Sequence, residues 1–360
     1  MKDEYLHILN QFDLDDQVKE IVPFGNGHIN DTLKIVNRDG EARYVLQRIN
    51  HLIFTQVDIL QDNIRVVTSH IRKKLEEKGE PDVDRKVLTF LIAKDGKNYY
   101  YDGENYWRVC LMIPRSQSFE KITPELSYQA GKAFGEFQQM LSDIPEGVLQ
   151  ETIPNFHNME FRLQQFREAV ELNAAGRLSE VQGLVDEMDG RAESMCIQER
   201  LCREGKLKKR INHCDTKVNN ILFDEDGRVL CVIDLDTVMP GFVLSDFGDF
   251  IRTGANTGLE DDEDLVRVQV DMDIFKAYAK GYLDRARSFL TPLEISLLPY
   301  GARLLTYMQT VRFLTDYLNG DTYYKIHKPD HNLIRTKAQF KLLLSLEAAR
   351  GEMDDFINQL

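Results

Sequence analysis

Between Tyr128 and Ala349 the apolar residues recur at helical spacing in one segment after another, and a single stretch, Ile221 to Asp234, breaks that rhythm with a β-type pattern. A chain so patterned is a mainly helical body with a small β element set into it. The segment before it reads differently. Short apolar runs, Ile21 to Phe24, Thr32 to Val36 and Tyr44 to Ile49, are separated by Gly25-Asn26-Gly27 and by Asn37-Arg38-Asp39-Gly40, which predicts an antiparallel meander. Apolar residues at helical spacing predict one amphipathic helix over Val57 to Glu77, and further strands are expected at Val87 to Ala93, Tyr99 to Tyr101 and Tyr106 to Ile113. Pro114 ends the last of these, and the stretch to Pro124 reads as a connector. Helices are expected over Tyr128 to Leu141, Phe161 to Asn173, Leu178 to Leu201, Leu265 to Ser288, Pro292 to Asn319 and Leu333 to Ala349. The expected fold class is α+β in two lobes: residues 1–113 as a small lobe built on an antiparallel sheet, and residues 114–360 as a larger, mainly helical one.

Charge narrows the partners. The 360 residues carry 45 basic and 59 acidic side chains, a net charge of −14, so a nucleic-acid partner is not expected. No apolar run approaches the roughly 18 residues of a spanning helix, and Met1 to Phe12 alternates charged and apolar residues instead of forming an export signal. The five cysteines are odd in number and contain no CxxC pair, which reads as reduced thiols in a cytoplasmic protein with no membrane partner.

The chemistry concentrates at the β-type interruption. Asp226-Gly227 between two apolar runs predicts a hairpin, and a two-residue turn would pair Glu225 with Arg228, Phe223 with Leu230 and Asn220 with Ile233. Asn220 and Asp234 then become neighbours at its open end, fed by a loop carrying Asp215. Two carboxylates and a carboxamide form an all-oxygen set suited to Mg²⁺, and phosphoryl transfer uses such a set, with a separate carboxylate for the proton of the attacking hydroxyl. A natural division makes Asn220 and Asp234 metal ligands and Asp215 the base. Taken singly, each would equally serve as a hairpin cap.

His213-x-Asp215-x4-Asn220 followed by Ile233-Asp234 resembles the signature of the aminoglycoside phosphotransferase and choline kinase group, small-molecule relatives of protein kinases. The resemblance implies a two-lobed protein-kinase-like fold and an ATP- and Mg²⁺-dependent kinase. It also implies a structural, loop-supporting role for Asp246 and a scaffold role for His213. Flanking blocks such as Phe24-Gly25-Asn26-Gly27-His28-Ile29-Asn30, Tyr44 to Asn50 and Val311 to Asp321 are similar to those of the group members that phosphorylate N-acetylhexosamines at the anomeric hydroxyl. That likeness implies GlcNAc or GalNAc as the acceptor, with His28, Asp31, Arg303 and Asp215 around the sugar.

Gly25-Asn26-Gly27 is followed by a strand and not a helix, which disfavours a dinucleotide fold and suits backbone amides lying over ATP phosphates. In the kinase fold the third strand supplies a lysine to the phosphates; here Gln47 stands at that place with Arg48 beside it, and both are candidate nucleotide contacts. On the helix from Pro292, Arg303 and Tyr317 share one stripe, each open to either a packing or a sugar-binding role, while Arg312 and Asp316 are expected to form an i,i+4 ion pair. The run Glu260 to Asp264 is expected to start a helix; its alternative use, as a clamp, would make the acceptor an aminoglycoside, choline or another cation.

Overall fold

The computed structural model describes residues 2–14, 18–25 and 29–360, with side chains from residue 5 onward. The chain forms two compact units, each assembled from separate stretches: Met1–Ser118, Asp143–Pro154 and Asn220–Met239 in the first, and Phe119–Ser142, Asn155–Asn219 and Pro240–Leu360 in the second. In chain order the elements are α1 (Lys2–Leu9), β1 (Val18–Pro23), β2 (Asp31–Asn37), β3 (Ala42–Ile49), α2 (Val57–Glu77), α3 (Val83–Lys86), β4 (Tyr100–Tyr101), β5 (Tyr106–Leu111), α4 (Pro124–Leu141), α5 (Met159–Leu172), α6 (Leu178–Met195), α7 (Ile197–Arg203), β6 (Arg210–Asn212), β7 (Ile221–Phe223), β8 (Val229–Val232), β9 (Met239–Gly241), α8 (Val243–Gly254), α9 (Met272–Ala286), α10 (Pro292–Ser296), α11 (Leu298–Leu318), α12 (His331–Ala348) and α13 (Arg350–Gln359). Among the described residues no helix is long and apolar enough to cross a membrane.

The first unit is organised by an antiparallel sheet in the order β1-β2-β3-β5-β4. Because side chains alternate along a strand, adjacent rungs sort into two faces. Leu33, Leu46 and Val109 occupy successive rungs and bury against Ile8 and Leu9 of α1 and the nearby Phe12. Sealing Leu46 and Val109 completely contributes about 1.5–3 kcal/mol each. The next row, Thr32, Gln47 and Arg108, faces the opposite way. On α2 the residues Leu60, Ile64, Val67 and Ile71 are buried at the expected spacing. Its Asn63 amide donates to the carbonyls of Gln150 and Val238, tying the helix to two other stretches of the unit.

Several sequence expectations need correction; the single helix expected over Leu178 to Leu201 divides at Cys196 into α6 and α7. Val87 to Ala93 is no regular strand: it makes one bridge, Phe90 to Cys110, before Ala93 turns to pair with Phe12. The hairpin of β7 and β8 is not closed by two residues. The Asp224 carboxylate accepts from the backbone N–H groups of Asp226 and Arg228, so Asp224 rather than Glu225 faces Arg228, and a bulge sets Phe223 opposite Val229 instead of Leu230. The helix expected from Leu265 begins at Met272, where the Asp271 carboxylate caps the N–H groups of Asp273 and Ile274. The helix expected over Pro292 to Asn319 restarts at Leu298, with Pro299 in its first turn, where its missing N–H costs nothing.

The second unit is held by helices that cross backbone to backbone. A Cβ at Gly248 of α8 would lie 2.1 Å from the Gly301 carbonyl oxygen of α11, and one at Gly301 would lie 2.4 Å from that of Leu244. Likewise a Cβ at Gly281 of α9 would meet the Tyr128 carbonyl oxygen of α4 at 2.0 Å. Gly301→Ala is therefore expected to lower stability by at least about 1–3 kcal/mol through forced separation of α8 and α11. Gly183→Ala, where a methyl meets open space on the exposed face of α6, should instead raise it by roughly 0.5–1 kcal/mol. Chemical denaturation of the two variants checks both signs.

Candidate active site

The loop carrying Asp215 is fixed by one buried carboxylate. Asp246, in the first turn of α8 and fully sequestered, accepts from the backbone N–H of His213 through Oδ2 and of Cys214 through Oδ1, both at 2.8 Å. Gln138 of α4 donates to Asp246 Oδ2 at 2.7 Å and to Asn212 at 2.8 Å, and its own oxygen accepts from Tyr282. The Thr216 hydroxyl donates to the Asp246 carbonyl. Burial pushes the Asp246 carboxyl up from its ordinary value, and the field of His213 with these donors opposes it. The supporting carboxylate implied by the sequence resemblance thus holds the backbone N–H groups of the two residues that precede Asp215. Cys214 is held at φ +63°, a left-handed conformation uncommon for a residue with a side chain and a mark of a loop whose shape is imposed by its surroundings.

Asp215 opens into a cavity of about 90 Å³ within the second unit, lined also by Phe156, His157, Asp249, Arg252, Met308, Gln309 and Arg312. Asp215 is paired with Lys217 at 2.9 Å. Arg252 is matched by Asp249 at 2.9 Å and by Glu260 at 2.6 Å. Burial raises the Asp249 carboxyl, with Arg252 opposing. Arg312 donates to the neutral Gln309 and lies over the rings of Phe156, Tyr323 and Tyr324. It does not pair with Asp316, contrary to the i,i+4 expectation; Asp316 is engaged by the N–H groups of Thr322, Tyr323 and Tyr324 and by the Asn332 amide. His157 is half-buried and stacked on Phe156, and desolvation followed by the fields of Arg312, Arg162 and Arg252 drives its pKa down to about 3. The cavity is therefore lined by Asp215 paired with Lys217, Asp249 matched by Arg252, a neutral imidazole and Arg312, which has no carboxylate partner among the described residues.

Asn220 and Asp234 belong to the first unit, where the Ile233 N–H donates to the Asn220 carbonyl at 2.9 Å and brings the two residues to the open end of the hairpin. Asp234 has φ +61° and ψ +58°, again left-handed, at the entry to the 3-10 turn Leu235–Thr237. An amide oxygen and a carboxylate on adjacent rungs offer hard oxygen donors of the kind Mg²⁺ takes while keeping waters and phosphate oxygens, so the residues fit that ion. Gly25, two residues past β1, has φ +77°, and Asn26, Gly27 and His28 lie outside the described residues. Gln47 and Arg48 point to opposite faces. Arg48 forms an ion pair with Asp31 on the side that holds Trp107 and α1, whereas Gln47 sits in the row with Thr32 and Arg108.

Residues 20–289 match the phosphotransferase enzyme family. The chain belongs to that family. Similar solved structures include an aminoglycoside phosphotransferase from Alicyclobacillus acidocaldarius, at 13% identity and a TM-score of 0.63, with 96% of this chain and 95% of that one covered. A spectinomycin phosphotransferase in complex with ADP and spectinomycin reaches 12% identity and a TM-score of 0.60 over 99% and 98%. An ethanolamine kinase from Plasmodium vivax gives 14% and 0.51 over 89% and 81%. Across that sequence distance the likeness is one of fold: the kinase-like fold of aminoglycoside phosphotransferases, with an antiparallel sheet in one lobe and helices in the other.

In this small-molecule phosphotransferase, Arg303 and Tyr317 stand away from the Asp215 cavity. Arg303 is buried near Arg350, Asp354 and Glu347, while the Tyr317 hydroxyl donates to Glu180 and its ring lies under Arg177. The acidic run is a loop, not a helix start: Glu260 binds Arg252, Asp261 binds His331, Glu263 binds Lys328, and Asp262 accepts from two backbone N–H groups. Residues that sequence reasoning missed here are His157, Arg252 and, as a cavity residue, Arg312; their positions in sequence lie far apart, and only the α8–α11 crossing gathers the last two. His157 titrates in the unfolded chain near its ordinary value but stays neutral when folded, so protons favour the unfolded state as pH falls. Stability should drop by about 2 kcal/mol between pH 7 and pH 5 from this group alone. Denaturation of His157→Gln over the same range should show a slope flatter by that amount.

Proposed function

We propose that this phosphotransferase transfers the γ-phosphoryl group of ATP to the anomeric hydroxyl of an N-acetylhexosamine, GlcNAc or GalNAc, giving the sugar 1-phosphate in the cytoplasm. The nucleotide is taken by the lobe of residues 1–113 and the acceptor by that of residues 114–360, in which Asp215 is the base. In a direct displacement the anomeric O–H gives its proton to Asp215 as the new O–P bond forms. The bond from the γ-phosphorus to the bridging oxygen breaks, leaving ADP. Asn220 and Asp234 would hold Mg²⁺, which supplies neutralisation of the phosphate oxygens. Gln47 and the Gly25 to Gly27 loop are the nucleotide contacts in this reading, with His28 beside the acceptor.

The observation that favours a neutral acceptor is the charge of the Asp215 cavity. Arg312 and a histidine kept neutral face the space where an acceptor would lie, and Asp249 is already matched by Arg252. An aminoglycoside or choline would meet the Arg312 guanidinium there, while Asp215 is already paired with Lys217 and Asp249 with Arg252, a cost that a hydroxyl- and amide-bearing sugar avoids. The acidic run that motivated a cationic acceptor is occupied by Arg252, His331 and Lys328.

Incubation with ATP, Mg²⁺ and each sugar should yield a sugar 1-phosphate by phosphorus NMR; a 6-phosphate, or turnover of an aminoglycoside or choline with neither sugar accepted, would sink the proposal. Asp215→Asn is expected to cut kcat by about 10²–10⁴-fold with an unchanged melting temperature. Arg312→Gln should raise KM for the sugar while leaving KM for ATP near the wild-type value.

A further inference from the structure

The third strand brings no lysine to the phosphates, yet a buried cation stands one strand away. Arg108 of β5 lies directly opposite Gln47 of β3 and is 2% exposed. Its Nε donates to Gln47 Oε1 at 2.9 Å, and its Nη1 forms an ion pair with Asp236 at 2.5 Å. The second carboxylate oxygen of Asp236 accepts from the Asn30 amide, also at 2.5 Å, at the point where the glycine loop enters β2. Asp236 follows Asp234 by two residues, inside the 3-10 turn that Asp234 begins in a left-handed conformation. All of these residues belong to the first unit.

We infer that Arg108 is a positioning residue of the phosphoryl-transfer site: its buried ion pair with Asp236 fixes the turn that carries Asp234 against Gln47 and the end of the glycine loop, the task a third-strand lysine would otherwise share. This rests on Asp234 being a ligand of the nucleotide's metal. Two physical arguments support it. A left-handed aspartate costs of the order of 1–3 kcal/mol and persists only where its surroundings determine it, and Asp236, two residues on, binds Arg108 of β5 and Asn30 just before β2. Secondly, a buried ion pair is a poor stabilising device, since a well-packed apolar pair is often as stable or more so, and its value lies in the geometry it enforces.

The experiment follows from that distinction. In the full chain, Arg108→Met combined with Asp236→Leu replaces the pair by apolar side chains of similar volume. The expected result is a melting temperature near that of wild type, an affinity for ADP with Mg²⁺ weakened about 10–100-fold by calorimetry, and a smaller change for ADP in EDTA. Arg108→Lys should restore part of the loss. Wild-type affinity for ADP with Mg²⁺ in the double variant would overturn the inference and leave the pair merely structural. If the double variant fails to fold, Arg108→Lys decides alone: weaker Mg²⁺-dependent ADP binding supports the inference, and unchanged binding with a lowered melting temperature overturns it. Because the readout is nucleotide binding, a wild-type enzyme that phosphorylates no N-acetylhexosamine refutes the acceptor assignment without touching this one. Wild-type ADP binding that does not respond to Mg²⁺ would instead remove the metal reading on which it rests.

Discussion

The carboxylate of Asp246 is the point on which the second unit turns. Sequestered from water, it takes two backbone N–H groups of the loop ahead of Asp215 and an amide of α4, while its own carbonyl receives a threonine hydroxyl from the far side of that loop. A buried acceptor with that many donors is expensive to leave unmatched, so loop, α4 and α8 are constrained together. The left-handed Cys214 is the local signature of this constraint.

The first unit solves a different problem. An acidic chain that handles a polyphosphate cannot rely on its overall field, and its sheet separates two kinds of polar contact by strand alternation. The Asp31–Arg48 pair lies on the α1 side, partly exposed and worth little energetically. The Gln47–Arg108–Asp236 row lies on the other and is dry at its centre. One residue of register separates an ordinary surface ion pair from a buried network.

What was legible in the sequence followed periodicity. The alternation around Leu33 and Leu46 and the stripe from Val57 to Leu75 stand out because one face of each is apolar and the other is not, and the kinase-like architecture was readable from them together with the His213 to Asp234 motif. Helix ends were not legible where a proline or an aspartate cap reset the chain, as at Pro299 and Asp271. α8 was not anticipated: Val243 to Ile251 is buried all round, and its polar residues Ser245, Asp246 and Asp249 are buried with it. The cavity beside Asp215 was out of reach for another reason: Phe156, Arg252 and Arg312 share no local pattern, and the partner that removes Arg252 from consideration as a free cation, Glu260, sits in a run that reads as solvent-facing. Arg303 and Tyr317 share a stripe with each other but not with the cavity, since one helix as long as α11 serves several neighbours along its length.

The contact of Gly248 with Gly301 has a consequence for how acceptor preference can diverge among relatives of this enzyme. With no methylene between the two backbones, the spacing of α8 and α11 is at its lower limit and has no soft direction in which to adjust. With the acceptor site proposed above, a lineage that changes acceptor would do so by exchanging side chains at Leu305, Met308, Gln309 and Arg312, about one to three helical turns beyond the contact, while the helix pair itself acts as a rigid ruler. Substrate range is free to drift there without loosening the loop that carries Asp215.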